Sequence, residues 1–153
     1  MKIQFWAIGK ANDKYFDEAI DHYTRRISHY FTVNWRLFPA SKNNRKEDAM
    51  AAESESLLHA RQPGDFLIAL DETGEQLNSV QLASSIERQA LNSIKCMTFA
   101  IGGAYGFSPS FLKKCDFTWS LSPLTFPHQL VRLILAEQIY RACTIMKNEG
   151  YHH

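Results

Sequence analysis

Apolar positions along the 153 residues recur in two rhythms, and the alternation between them lays out the chain. Residues 2–9 (KIQFWAIG), 33–38 (VNWRLF), 66–70 (FLIAL), 96–101 (CMTFAI) and 117–121 (FTWSL) are short and rich in β-branched and aromatic residues, which predicts strands. Between them the apolar positions take helical spacing. Phe16, Ala19, Ile20, Tyr23 and Ile27 follow a candidate cap at Asp13. A second helix runs from the polar stretch 41–46 to about residue 61, before Pro63-Gly64. A third, capped at Ser79, runs to about Leu91. Residues 72–76 (ETGEQ) read as a turn, a short helix starts near Ser108-Pro109, and a long one spans Pro127 to about Lys147.

Strand–helix alternation predicts one α/β domain over residues 1–153, with a mainly parallel sheet covered by helices. The runs FLIAL and CMTFAI are apolar without alternation, as expected of strands covered on both faces. Ligands of such sheets sit outside the carboxyl ends of the strands. That rule gathers three loops at one rim: the one after Leu70, the one after Ile101, and residues 121–127.

Composition narrows the possibilities. Seventeen Lys+Arg against sixteen Asp+Glu leave a net charge of +1, so no global field draws the chain to nucleic acid or an anionic membrane. Any RNA contact must come from local groups, such as Arg25-Arg26, the KNNRK stretch at 42–46 and the terminal histidines. The N-terminal apolar run is too short to span a membrane and has no signal-type cleavage site after it. Cys96, Cys115 and Cys143 are odd in number and show no ligand spacing, which predicts reduced thiols, a cytoplasmic location and no metal site.

The rim loops carry the candidate chemistry. Gly102-Gly103-Ala104-Tyr105-Gly106 permits close backbone approach to a ligand, although a bare GGxxG more often marks a simple strand-to-helix turn. It departs from the GxGxxG dinucleotide fingerprint, which disfavours a hydride-transfer cofactor. Ser120, Ser122 and Thr125 offer hydroxyls to an adenine or a ribose, on a segment that otherwise reads as a helix-entry loop. The final helix is apolar nearly all round, with Leu130, Leu133 and Ile134 on one side and Val131, Leu135, Ile139 and Ala142 on the other. A chain this small covers such a helix poorly alone, so the pattern predicts a homodimer with this helix in the interface. Glu137 and Arg141, four apart in the order that favours an ion pair, project from the Leu130/Ile134 side, where they either pair and fix the register of the dimer or serve the substrate. Arg132 points roughly away from Arg141. The ending NEGYHH taken alone resembles a loose terminus or the start of a tag.

Three stretches then change the reading. IGGAYG (101–106), LSPLTFPHQLVRLILAEQIYRA (121–142) and the ending YHH resemble the RlmH family of SPOUT-superfamily methyltransferases. The resemblance spans essentially the whole chain, including the KIQFWAIGK start and the LDETG turn, and is specific in the last third. It departs at Ala104-Tyr105, where many relatives carry Pro-Glu or Ser-Asn. On this resemblance Tyr151-His152 belong to the family pattern and not to a tag. The resemblance implies a dimeric SPOUT fold with a C-terminal trefoil knot. The implied activity is S-adenosylmethionine-dependent methylation of N3 of a pseudouridine in large-subunit ribosomal RNA, on assembled ribosomes. Carried over residue by residue, the cofactor would lie against Leu70, Gly102, Gly103, Leu121, Ser122, Pro123, Leu124, Thr125 and Phe126. The implied catalytic groups are His152, Arg141 and Tyr151, with His128, Arg132 and His153 toward the RNA.

Methyl transfer from a sulfonium needs alignment and exclusion of water more than it needs a metal. The N3 position carries a proton, however, so a base or a positive field should assist. His152, with a reference pKa near neutrality, is the leading proton acceptor. The expectation is that the tail of one protomer closes over the cofactor of the other. Two rival readings stand beside it: a SPOUT methyltransferase acting on tRNA, and a non-catalytic ribosome-binding factor on the same scaffold.

Overall fold

The computed structural model describes residues 1–153 and contains ten elements. In chain order they are β1 (Lys2–Ile8), α1 (Lys14–Ile27), β2 (Thr32–Phe38), α2 (Lys46–Ala60), β3 (Asp65–Gln76), α3 (Ser79–Leu91), β4 (Cys96–Ile101), α4 (Pro109–Leu112), β5 (Phe117–Ser120) and α5 (His128–Met146). The five strands form one sheet in the order β2-β1-β4-β3-β5, and every pair is parallel.

The alternation of side chains across the strands divides the core into two layers. Ile3, Phe5 and Ala7 of β1 and Met97, Phe99 and Ile101 of β4 join Ile27, Ile86, Leu135 and Ile139 on one face. Trp6 and Ile8 of β1, with Leu67 and Ala69 of β3, meet Leu57, Phe107 and Phe111 on the other. Thus α1, α3 and α5 cover one face, while α2 and α4 cover the other. All six residues of β4 are buried, as the unbroken run CMTFAI requires of a central strand.

Three sequence expectations change in detail. The expected turn at 72–76 lies inside a longer β3. Leu70 and Glu75 both stand opposite Trp119, so residues 71–74 bulge out of the β3–β5 ladder before pairing resumes. Gly74 makes this possible, because a Cβ there would stand 2.6 Å from the Thr118 carbonyl oxygen. Asp71 shapes the bulge by accepting the Thr73 N–H (3.0 Å) and hydroxyl (2.6 Å).

The cap of α3 is Asn78 and not Ser79. Asn78 Oδ1 accepts the Gln81 N–H and Gln81 Oε1 accepts the Asn78 N–H, each at 2.8 Å, which is a reciprocal capping box. Asp13 precedes α1 as expected but makes no side-chain cap. Gln129 takes both of its groups, accepting the Asp13 N–H at 2.5 Å and donating to the carboxylate at 2.9 Å.

Cys96 and Cys143 are buried, Cys115 is half-buried, and all three are free thiols. Burial pushes the Cys115 and Cys143 thiols up to about 12, which keeps them protonated and unreactive at neutral pH. No helix is long and apolar enough to cross a membrane.

Candidate active site

The three loops at the carboxyl ends of β3, β4 and β5 meet the first turn of α5 around one cleft. Its larger part, about 400 Å³, is lined by Leu70, Asp71, Gly102, Gly103, Thr125 and Phe126 among others. A second part of about 150 Å³ shares Leu70, Asp71, Glu72, Phe126 and Val131 with the first and adds Leu121, Ser122 and Leu124. Of the nine residues assigned to the cofactor, eight therefore line one continuous cleft; Pro123 sits exposed between two of them.

Local chemistry shapes each wall. Gly106 donates its N–H to the Gly103 carbonyl at 3.0 Å and adopts φ +71°, which closes 103–106 into a tight turn with the exposed Tyr105 at its tip. In the next loop the buried Ser120 hydroxyl donates to the Ser122 carbonyl (3.2 Å), and Ser122 Oγ accepts the Leu124 N–H (3.0 Å). Two of the three hydroxyls expected to meet a ligand thus hold the loop itself, and Thr125 is the one that reaches the cleft without such a bond. The Asp71 and Glu72 carboxylates stand on the β3 side, where they give the cleft a negative wall.

The expected tail residues lie elsewhere. They gather along the second half of α5, where Glu137, at the helix midpoint, is the centre of a polar cluster. Arg141 donates to Glu137 Oε1 from both Nε (3.1 Å) and Nη2 (2.5 Å), and the Tyr151 hydroxyl donates to the same oxygen at 3.1 Å. Gln138 takes Oε2 at 2.6 Å. The Arg141 guanidinium lies 4.8 Å from the centre of the Tyr151 ring, and that ring packs edge-on against Tyr140. The ion pair foreseen from the i, i+4 spacing is present, and the hydrogen bond to Glu137 raises the Arg141 pKa. Burial, with the bonds to Tyr23 and Glu137, raises that of Tyr151, so its phenol stays protonated at neutral pH. His152 is half-buried, and its Nδ1 is buried with no hydrogen-bond partner within the chain.

The two groups do not meet within one chain. The cleft stands at the His128 end of α5, whereas Glu137 and Arg141 lie nine and thirteen residues further on, roughly 13 and 20 Å along the axis at about 1.5 Å per residue. Leu130, Leu133, Ile134, Glu137 and Arg141 form a half-buried stripe along one side of the helix.

The residues assigned to RNA divide. His128 is exposed at the mouth of the cleft, and His153 is exposed at the tail. Arg132 is only 2 % exposed. It donates to the Lys10 carbonyl (2.8 Å) and Asn12 Oδ1 (2.7 Å), which ties the β1–α1 loop to α5. Among the expected basic patches, Arg25 is paired with Asp21 and Arg26 lies over the Tyr140 ring. Lys46, read in the sequence only as the last residue of the basic KNNRK stretch, stands at the start of α2 and lines the cleft. Its place at the cleft, beside residues so distant in sequence, has no local signal.

Comparison with known proteins identifies the family. The family model described as predicted SPOUT methyltransferase matches residues 1–152. The ribosomal RNA large subunit methyltransferase H of Parabacteroides distasonis is 42 % identical over all of this chain and 99 % of its own length. The protein of that name from Cytophaga hutchinsonii is 42 % identical over the whole of both chains. Among solved structures, a probable methyltransferase from Bordetella pertussis superposes with a TM-score of 0.54 at 11 % identity, over 93 % of this chain and 96 % of its own. A probable methylase family protein from Haemophilus influenzae gives the same score at 11 % identity over 99 % of this chain and 70 % of its own. These two share the fold. The chain belongs to the SPOUT methyltransferase family, among its ribosomal RNA large subunit methyltransferase H members.

Proposed function

We propose that this protein transfers a methyl group from S-adenosylmethionine to N3 of a pseudouridine in large-subunit ribosomal RNA, in the cytoplasm and on assembled ribosomes. The observation that carries the reading is the single cleft formed by the three rim loops, in a chain 42 % identical over its full length to a ribosomal RNA large subunit methyltransferase.

The lining suits the cofactor. Leu70, Leu121, Phe126 and Val131 offer apolar surface to a purine, the Gly102–Gly103 main chain allows close approach, and Thr125 has a free hydroxyl. The Asp71 and Glu72 carboxylates favour a cation such as a sulfonium. When bound, the cofactor supplies an electrophilic methyl group.

The rest belongs to the protein's own side chains. N3 of the base must lose its proton to become a good nucleophile, and the half-buried His152 at the tail is the acceptor we assign. Arg141 stabilises the base as it becomes anionic, and Tyr151 holds Arg141 and the tail in place. His153 lies beside them toward the RNA.

Because the cleft and the Arg141–Tyr151 cluster stand at different levels of α5, about 20 Å apart along the axis from His128 to Arg141, these roles call for a second copy. We infer an antiparallel homodimer in which the half-buried stripe on α5 meets its equivalent, bringing the tail of one protomer to the cleft of its partner. A C-terminal trefoil knot, with α5 threaded past the rim loops, belongs to the same reading.

The test is transfer of labelled methyl from S-adenosylmethionine to assembled ribosomes lacking the modification, followed by mass spectrometry of the nucleosides. Label in N3-methylpseudouridine is the expected result. Label only in tRNA would replace the substrate assignment, and no label with any RNA would favour a non-catalytic ribosome-binding role.

A further inference from the structure

The sheet has a second crevice that the proposed cofactor site does not use. The chain leaves β4 toward the α2/α4 face, whereas it leaves both neighbouring strands, β1 and β3, toward the α1/α3/α5 face. Such reversals open crevices at the carboxyl ends of strands. The one between β3 and β4 is the cleft described above. The one between β1 and β4 holds about 350 Å³ and is lined by Gly9, Lys10, Asp13, Ala40, His128 and Arg132, among others. Gly103, Ala104 and His128 line both, so the two crevices adjoin across one wall.

Their charges are opposite. The β3/β4 crevice has Asp71 and Glu72 on its rim. The β1/β4 crevice has Arg132 in its wall, with Lys10 exposed above it and the first turn of α5 beside it. Arg132 has no carboxylate within ion-pair distance, and its hydrogen-bond acceptors are the neutral Lys10 and Ile8 carbonyls and Asn12 Oδ1. Its Nε is buried with no partner. Asp13, the carboxylate in the same wall, is engaged by Gln129, and the buried Glu53 carboxylate behind Gly103 accepts the Ser41 N–H. A buried guanidinium without a counter-charge is costly, and an anion in the crevice offsets that cost. Only Gly9, which has no side chain, separates the guanidinium from the crevice on this side: a Cβ at Gly9 would lie 3.4 Å from Arg132 Nη2.

We propose that the β1/β4 crevice is an oxyanion site, held by Lys10, His128 and the field of Arg132, which fixes a phosphate of the RNA strand next to the base being methylated. This rests on the methyltransferase reading above. A carboxylate has the same chemistry, and the cofactor's amino-acid end is its one other source among the reactants.

Lys10→Glu separates the possibilities, because Lys10 is exposed and its replacement leaves the fold intact. The measurements are S-adenosylmethionine affinity by calorimetry, the KM for ribosomes, and the salt dependence of that KM. A phosphate site predicts unchanged cofactor affinity, a raised ribosome KM, and a salt slope lower by about one unit. Weakened cofactor binding with unchanged KM and salt slope would move the site to the cofactor carboxylate and overturn the phosphate assignment. No change in any of the three would overturn the oxyanion site itself. Arg132→Gln, compared by melting temperature and the same assays, should act in the same direction as Lys10→Glu. If it does not fold, Lys10→Glu decides alone. Failure of the methyltransferase reading is distinct: the unaltered protein would then not methylate ribosomes at all.

Discussion

The two ends of α5 do opposite work with similar materials. At its start the helix meets three loops whose polar groups are largely spent on one another, and the result is an open cleft with apolar and acidic walls. Along its second half, Glu137, Arg141, Gln138 and Tyr151 satisfy one another in a closed cluster. The first end is organised to receive a molecule, the second to hold a conformation. Arg141 lies about 20 Å along the helix axis from His128 at the cleft. A catalytic role for the tail therefore requires the second protomer.

The comparison breaks most readily by removing the tail. A protein ending at Gly150 should bind S-adenosylmethionine as before but lose on the order of 10²–10⁴-fold in the methyl-transfer rate, the scale of a lost acid–base group. Single-turnover transfer to ribosomes is the measurement, and an unchanged rate would remove the tail from catalysis.

Gly74→Val addresses the other end. A side chain at 74 collides with the Thr118 backbone, so the bulge must reopen, at a cost of roughly 1–3 kcal/mol in stability. Calorimetry should show weakened cofactor binding, while sedimentation shows an unaltered dimer.

Arg141→Met is the converse. It leaves the half-buried Glu137 carboxylate without its cation, and should cost about 1–3 kcal/mol, seen as dissociation of the dimer at lower dilution with the monomer's cofactor affinity unchanged. Cofactor affinity that falls in parallel with dimer stability would show the two ends to be less independent than drawn here.

The smallest effect is on pH. The Tyr151 pKa is raised in the folded chain, so the stabilisation it gives is complete below the ordinary tyrosine value of about 10 and fades as pH climbs through the higher folded value. Thermal melts at increasing alkaline pH should show a loss of stability that is reduced in Tyr151→Phe.

Much of this was legible in the sequence where the signal is local. FLIAL and CMTFAI announce buried parallel strands, the glycine turn and the serine–proline loop mark the rim, and the i, i+4 spacing gives the Glu137–Arg141 pair. What was not legible depends on contacts between distant segments. The 71–74 bulge exists because Gly74 meets the Thr118 backbone some forty residues on, so the same letters read as an ordinary turn. Asp13 forgoes its cap because Gln129 occupies it. The helical wheel places Arg132 away from Arg141, but not that it is buried, since a charged residue on a helix normally faces water and only the fold brings the Lys10 and Ile8 carbonyls to it.

The claim that each active site is built from two chains is tested most directly by complementation. Leu70→Trp fills the cleft, truncation at Gly150 removes the tail, and each protein alone should be inactive. Co-refolded in equal amounts, they should regain about a quarter of the unaltered activity, since half of the random dimers carry one intact site of two. Recovery at that level is what the account predicts. A mixture as inactive as its components, with mixed dimers shown to form, would contradict it.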